Sequence, residues 1–75
     1  MKLSPIEAKL LYRAAKRQSV LGRKLRETLP ETNEVPASEY ENAASCLSRL
    51  ASESNDLACV RACRTLEARF EAAKP

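Results

Sequence analysis

Histidine and tryptophan are absent from this 75-residue chain, and glycine (one), phenylalanine (one) and tyrosine (two) are scarce. Without histidine, the commonest general base is missing. The chain also has no glycine-rich phosphate loop and no nucleophile elbow. We therefore expect no enzymatic activity and no cofactor. The scarcity of glycine and aromatic residues argues against a sheet, and the abundant Ala, Leu, Glu, Arg and Lys favour an all-α protein.

Long apolar runs are also missing. No stretch approaches the roughly 20 apolar residues that span a bilayer, and residues 1–11 have no apolar core of the kind that directs export. The odd cysteine count, three, predicts free thiols in a reducing compartment. These features together predict a cytoplasmic protein that makes no contact with a membrane.

The three cysteines are Cys46, Cys59 and Cys63. Cys59 and Cys63 are spaced i, i+4, so on a helix they share a face and could supply two metal ligands. Structural zinc normally takes four ligands from Cys and His, and Cys46 is the only other soft ligand here. We interpret all three as small apolar core residues and expect no metal. The alternatives are a site shared across a dimer and a redox-sensitive pair.

The chain reads as a single domain of three helices. The first helix is predicted at 4–29, because Ser4 and Glu7 form a capping box around Pro5 and because Pro30 ends the pattern. A connector follows at 30–37. The second helix is predicted at 38–54, with a capping box from Ser38 to Glu41. The third is predicted at 56–73.

A break between the second and third helices is expected at Ser54-Asn55-Asp56. The apolar side chains before and after it would lie roughly 130° apart on one continuous helix, so one straight helix cannot bury both sets in one core. We expect Asn55 to adopt a left-handed conformation and Asp56 to cap the next helix. This gives a small antiparallel bundle of three helices. The alternative is a two-helix hairpin with a long second helix.

Positive charge is concentrated in the first predicted helix: residues 1–29 hold eight of the thirteen Lys and Arg against two Glu. The apolar stripe of that helix is predicted to be Ile6, Leu10, Ala14, Leu21 and Leu25. An adjacent arc of cations, with a tyrosine beside them, gives the candidate partner-binding residues: Lys9, Tyr12, Arg13, Lys16, Arg17, Arg23 and Lys24.

This basic face predicts a small protein-interaction module, an adaptor, inhibitor or chaperone-like protein that docks on a larger protein with an acidic surface. The alternative function is nucleic-acid binding through the same face. A third interpretation is a solvated face that pairs with Glu31, Glu34 and the acidic second helix. Arg61 and Arg64 are secondary candidates, as base contacts of a helix-turn-helix, although the acidic second helix would repel phosphates.

Self-association is expected as well, because a chain of this size buries a small core. One core of three helices is predicted to leave some apolar side chains uncovered. These are Leu11, Val20 and part of the Leu66 and Phe70 face. Exposed apolar patches mark contacts, so we expect a homodimer.

Overall fold

A computed structural model describes residues 1–15 and 33–74. Three α-helices lie in these ranges: α1 at Pro5–Ala15, α2 at Tyr40–Glu53 and α3 at Leu57–Ala73. A short 3₁₀ helix at Ala37–Glu39 precedes α2. The predicted all-α bundle of three helices is therefore confirmed. The predicted helix beyond Ala15, its end at Leu29 and the start of the connector lie outside the described residues.

The start of α1 is fixed by a reciprocal pair of hydrogen bonds, as predicted. The Glu7 N–H donates to the Ser4 hydroxyl at 3.2 Å, and the Ser4 N–H donates to Glu7 Oε1 at 3.0 Å. Both backbone donors would otherwise lack a partner within the first turn. The bond from the Ser4 N–H is the largest factor that lowers the pKa of the Glu7 carboxyl below its ordinary value of 4.5.

The start of α2 differs from the prediction, because Ser38 and Glu41 form no capping box. Pro36 is extended, and its carbonyl accepts the Glu39 N–H at 2.9 Å, which winds residues 37–39 into the 3₁₀ helix. Ser38 therefore lies inside a turn, whereas a capping residue needs an extended backbone. The residue before α2 is Glu39, which is 6% exposed and accepts a hydrogen bond from Asn42 Nδ2 at 3.1 Å.

The predicted break between α2 and α3 is present, but Asn55 does not make it by a left-handed turn. Among the described residues, Asn33 alone has positive φ outside glycine, at 54°. Ser54 and Asp56 are extended, with ψ of 140° and 112°. The Ser54 hydroxyl accepts the Asp56 N–H at 3.1 Å, and Asp56 Oδ1 accepts the Ala58 N–H at 2.9 Å. The two helices are therefore separated by two successive hydrogen bonds, each from a backbone N–H to a side-chain oxygen.

The connector is more regular than its sequence indicates, because residues 33–35 pair with the start of the chain. An isolated antiparallel bridge joins Lys2 to Glu34. The Leu3 N–H donates to the Asn33 carbonyl at 2.8 Å, and the Val35 N–H donates to the Met1 carbonyl at 2.9 Å. Leu3 and Val35 are both buried, so this pairing closes one end of the core.

The amino group of Met1 is held at the same end by three acceptors. It donates to the Val35 carbonyl and the Tyr40 hydroxyl, both at 2.7 Å, and to Glu34 Oε1 at 3.1 Å. Glu34 was predicted to meet the basic end of the first helix, which lies outside the described residues. Its carboxylate forms a salt bridge with the amino terminus.

The two later helices form an antiparallel hairpin that is packed along its whole length. Tyr40, the first residue of α2, contacts Phe70 near the end of α3, with ring centroids 5.6 Å apart. Helices of a helix-turn-helix diverge from their turn at about 90–120°, so this close pairing of distant ends is not that geometry. The geometry therefore gives no support to the helix-turn-helix interpretation of Arg61 and Arg64, which stays a prediction.

The face of α1 that enters the core differs in part from the predicted one: Ala14 of the predicted stripe is buried, whereas Leu21 and Leu25 lie outside the described residues. Ile6 is 80% exposed and Leu10 is half-buried, whereas Leu11 is completely buried. The other buried residues of α1 are Ala8, Ala14 and Ala15. The prediction followed the largest side chains of α1. In the structure, the three alanines face the core, because their small side chains allow α1 to pack closely on it. The buried face is turned by about 100° from the predicted one.

The apolar surface that motivated a homodimer is also not exposed in this fold. The side chains of Leu11, Leu66 and Phe70 are each at most 2% exposed, and they belong to one core. Val20 lies outside the described residues. A homodimer remains a prediction, but these three side chains do not support it. None of the helices within the described ranges is both long and apolar enough to cross a membrane.

Candidate functional site

The basic face of α1 is the surface on which the sequence prediction rests, and the structure describes its first part. Lys9 and Arg13, one turn apart, are both exposed, and Tyr12 beside them is half-buried. Within residues 1–15 and 33–74, neither Lys9 nor Arg13 forms a salt bridge. The remaining candidates on this helix lie outside the described residues: Lys16, Arg17, Arg23 and Lys24.

The corrected orientation of α1 presents these cations more fully than the predicted one. At about 100° per residue, Lys9 and Arg13 lie about 170° from the centre of the buried face formed by Ala8, Leu11, Ala14 and Ala15. The sequence prediction placed the cations beside the apolar stripe. In the structure they are opposite it, and the helices of residues 33–74 leave both side chains exposed.

Most cations of α3 are paired with the molecule's own carboxylates. Arg69 contacts Glu7 of α1 in a salt bridge that joins the two helices. Arg64 contacts Glu67 at 2.9 Å and also donates to the Ser48 hydroxyl of α2 at 3.3 Å. Lys74 contacts Glu71 at 3.1 Å. Arg61, by contrast, is exposed and has no ion pair among the described residues.

One of these contacts joins the first helix to the last: Glu7, early in α1, meets Arg69, late in α3. Burial raises the pKa of the Cys63 thiol, and the charges of Arg13 and Arg64 offset part of that rise.

The three cysteines are free thiols in different surroundings. Burial raises the pKa of Cys46, and it raises the pKa of Cys63 to about 11, with the neighbouring Cys59 adding to the rise. Cys46 and Cys63 are core residues, as predicted, whereas Cys59 is half-buried. Among the described residues, no group of three or more His, Cys, Asp or Glu could hold a metal ion.

A shallow groove of about 440 Å³ follows α2 beside α3, and the sequence did not predict it. Its floor is made of small residues of α2, and its rim has charges of both signs. The lining residues are Ala44, Ser45, Ser48, Arg49, Ser52, Glu67 and Glu71. Glu67 and Glu71 already contact Arg64 and Lys74. Neither of these two carboxylates is therefore unpaired and available to a charged ligand in the groove.

Comparison with protein-family models, with curated proteins and with solved structures gave no match to this chain. The fold defines a small all-α helical bundle, and the function has to be argued from its surface.

Proposed function

We propose that this chain is a non-enzymatic interaction module that docks on the acidic surface of a larger protein through the basic face of α1. The residues that carry the proposal are Lys9 and Arg13, with Tyr12 beside them. The predicted extension of the face adds Lys16, Arg17, Arg23 and Lys24. The supporting observation is that Lys9 and Arg13 are exposed opposite the buried face and have no ion pair among the described residues.

The contrast with α3 explains why this face is the better candidate. Exposed surface ion pairs contribute only about 0–1 kcal/mol each, but they occupy the charges that a partner would need. Arg64, Arg69 and Lys74 already have carboxylate partners. Lys9 and Arg13 can pair with an incoming carboxylate without breaking such a contact. Among the candidates in the described residues, Arg61 is also exposed without an ion pair.

An acidic protein suits this surface better than a nucleic acid does. Binding to nucleic acid depends mainly on the neutralisation of phosphates by Lys and Arg, and the net charge of this chain is only +3. Protein interfaces concentrate their binding energy in a few residues, among which Arg and Tyr are enriched. Two cations and one tyrosine on adjacent turns can form such a centre. A cytoplasmic location, as the cysteine count predicts, belongs to the same proposal.

The test is a pair of charge reversals in the full chain, each of which changes the net charge by two units. Arg13→Glu removes a cation of the proposed face, and Lys2→Glu removes an exposed cation at the Lys2–Glu34 bridge. Tagged proteins are used to capture partners from an extract of the cells that encode the chain, with and without nuclease treatment. We expect the wild type and Lys2→Glu to retain the same protein and Arg13→Glu to lose it.

Two controls make the result decisive. Far-ultraviolet circular dichroism should show unchanged helical content in Arg13→Glu, since its side chain is solvent-exposed. Capture that survives Arg13→Glu would refute the docking proposal. Capture that nuclease abolishes would identify nucleic acid as the ligand, and its affinity should then fall steeply with salt.

A further inference from the structure

The outward side of α1 carries apolar side chains as well as cations. Ile6 is 80% exposed, and Leu10, one turn later, is half-buried. At about 100° per residue, Ile6 lies about 20° from Arg13 and about 60° from Lys9 around the helix axis. Residues three or four apart on a helix are neighbours on its surface. Ile6, Lys9, Leu10 and Arg13 therefore form one continuous surface, the Ile6 face.

The exposure of Ile6 is not matched elsewhere by the same surroundings. Among the described residues, the exposed large hydrophobic side chains are Ile6 and Leu57. Single exposed apolar residues are normal on a protein surface, and Leu57 has one exposed cation, Arg61, one turn later. Ile6 has two exposed cations beside it and a second apolar side chain one turn away. An apolar centre with arginine beside it is the composition of a protein interface.

The charge and shape of the Ile6 face select its partner. The acidic residue of α1 is Glu7, which is paired with Arg69 and lies about 100° from Ile6 around the helix. Pairing the face with itself in a second copy would bring cations against cations. The carboxylates therefore have to come from a different protein. The outer surface of a helix is convex, so the complementary surface is a groove, as in other complexes that bury i and i+4 anchors of a helix.

We propose that Ile6 and Leu10 insert into an apolar groove of the partner protein, and that carboxylates on the rim of this groove pair with Lys9 and Arg13. The inference rests on the proposed docking function and adds the apolar anchor and the chemistry of the partner's surface. Burial of Ile6 would supply affinity, whereas the two cations would mainly orient the complex and speed association. A partner that was merely acidic would leave Ile6 in water.

The experiment uses as its probe the purified protein that the wild type captures and Arg13→Glu loses. Its affinity for the full chain is measured by isothermal titration calorimetry at about 0.1 M and 1 M salt. Ile6→Ser should weaken binding about 10–100-fold at both salt concentrations, because apolar burial does not depend on unscreened charge. Arg13→Gln should weaken it about 5-fold at 0.1 M and much less at 1 M, where the Debye length is about 3 Å.

Leu57→Ser is the matched control, since it makes the same kind of change at a side chain that is 72% exposed on α3. It should leave the affinity unchanged. Circular dichroism should show the helical content of the wild type in both serine variants, because both positions are exposed.

The outcomes separate this inference from the docking proposal. Wild-type affinity in Ile6→Ser, while Arg13→Glu still loses the partner, would overturn the apolar anchor and leave docking intact. Capture that survives Arg13→Glu would overturn both. An equal loss of affinity in Leu57→Ser would contradict the assignment to α1. Self-association that Ile6→Ser abolishes would identify a second copy as the occupant, and Ile6-dependent binding to phosphatidylglycerol vesicles would identify a lipid surface; either result would overturn the inference.

Discussion

Replacing Leu11 by alanine should destabilise the protein far more than replacing Ile6 by alanine, although both are large apolar residues of α1. Leu11 is completely buried in the core, whereas Ile6 is 80% exposed. The pair tests the orientation of α1 directly, because the apolar stripe predicted from the sequence contains Ile6 and omits Leu11. Both variants introduce the same residue, so changes in helix propensity nearly cancel.

The expected difference is large relative to the stability of a chain this short. Buried Leu→Ala substitutions cost about 2–5 kcal/mol through lost burial and the cavity that remains. We expect about 3 kcal/mol for Leu11→Ala, while an exposed substitution such as Ile6→Ala should stay within about 0.5 kcal/mol. At about 0.05–0.15 kcal/mol per residue, the whole chain has roughly 4–11 kcal/mol. Leu11→Ala should therefore lower Tm by roughly 12–24 °C.

The measurement is urea unfolding followed by far-ultraviolet circular dichroism, with the wild type and both variants at the same protein concentration. A lower urea midpoint with an unchanged m-value shows that the free energy of unfolding has changed, while the surface exposed on unfolding has not. If Ile6→Ala cost as much as Leu11→Ala, the buried face of α1 would be the one predicted from the sequence. The assignment of Lys9 and Arg13 to the opposite face would then fail as well.

Three further outcomes follow from the structure. The pKa of Glu7 is lowered from 4.5, so its ionised form stabilises the folded state above that pH. The stability advantage of wild type over Glu7→Gln should shrink as the pH falls below 4.5 in urea titrations. Tyr40→Phe keeps the ring but removes an acceptor of the terminal amine, and we expect a loss of about 1–3 kcal/mol by the same assay. Iodoacetamide should alkylate half-buried Cys59 before buried Cys46 and Cys63; peptide mass spectrometry that found Cys63 modified first would contradict the burial.

The residues that the sequence identified correctly act within one or two turns of their own position. Ser4 and Glu7 satisfy each other's backbone donors three residues apart, and Asp56 caps α3 through Ala58. Such contacts depend only on local spacing, so the pattern of residue types is sufficient to predict them. The same holds for the break between α2 and α3, because the change in the apolar face occurs within the helical sequence itself.

Contacts between distant residues required the tertiary structure. The pairing of residues 1–3 with residues 33–35 joins two segments that have no strand pattern. The orientation of α1 followed its alanines rather than its largest side chains, since the closeness of helix packing, and not hydrophobic size alone, decides which face is buried.

The candidate site shows the same division. The sequence alone determined that eight of the thirteen Lys and Arg fall within residues 1–29. Only the tertiary structure decided that Lys9 and Arg13 lie opposite the buried face of α1 and that Glu7 of α1 pairs with Arg69 of α3. Glu7 and Arg69 are 62 positions apart, and their proximity arises from the packing of α1 on the α2–α3 hairpin. Local sequence patterns cannot specify such a contact, because it depends on the shapes and charges of all three helices together.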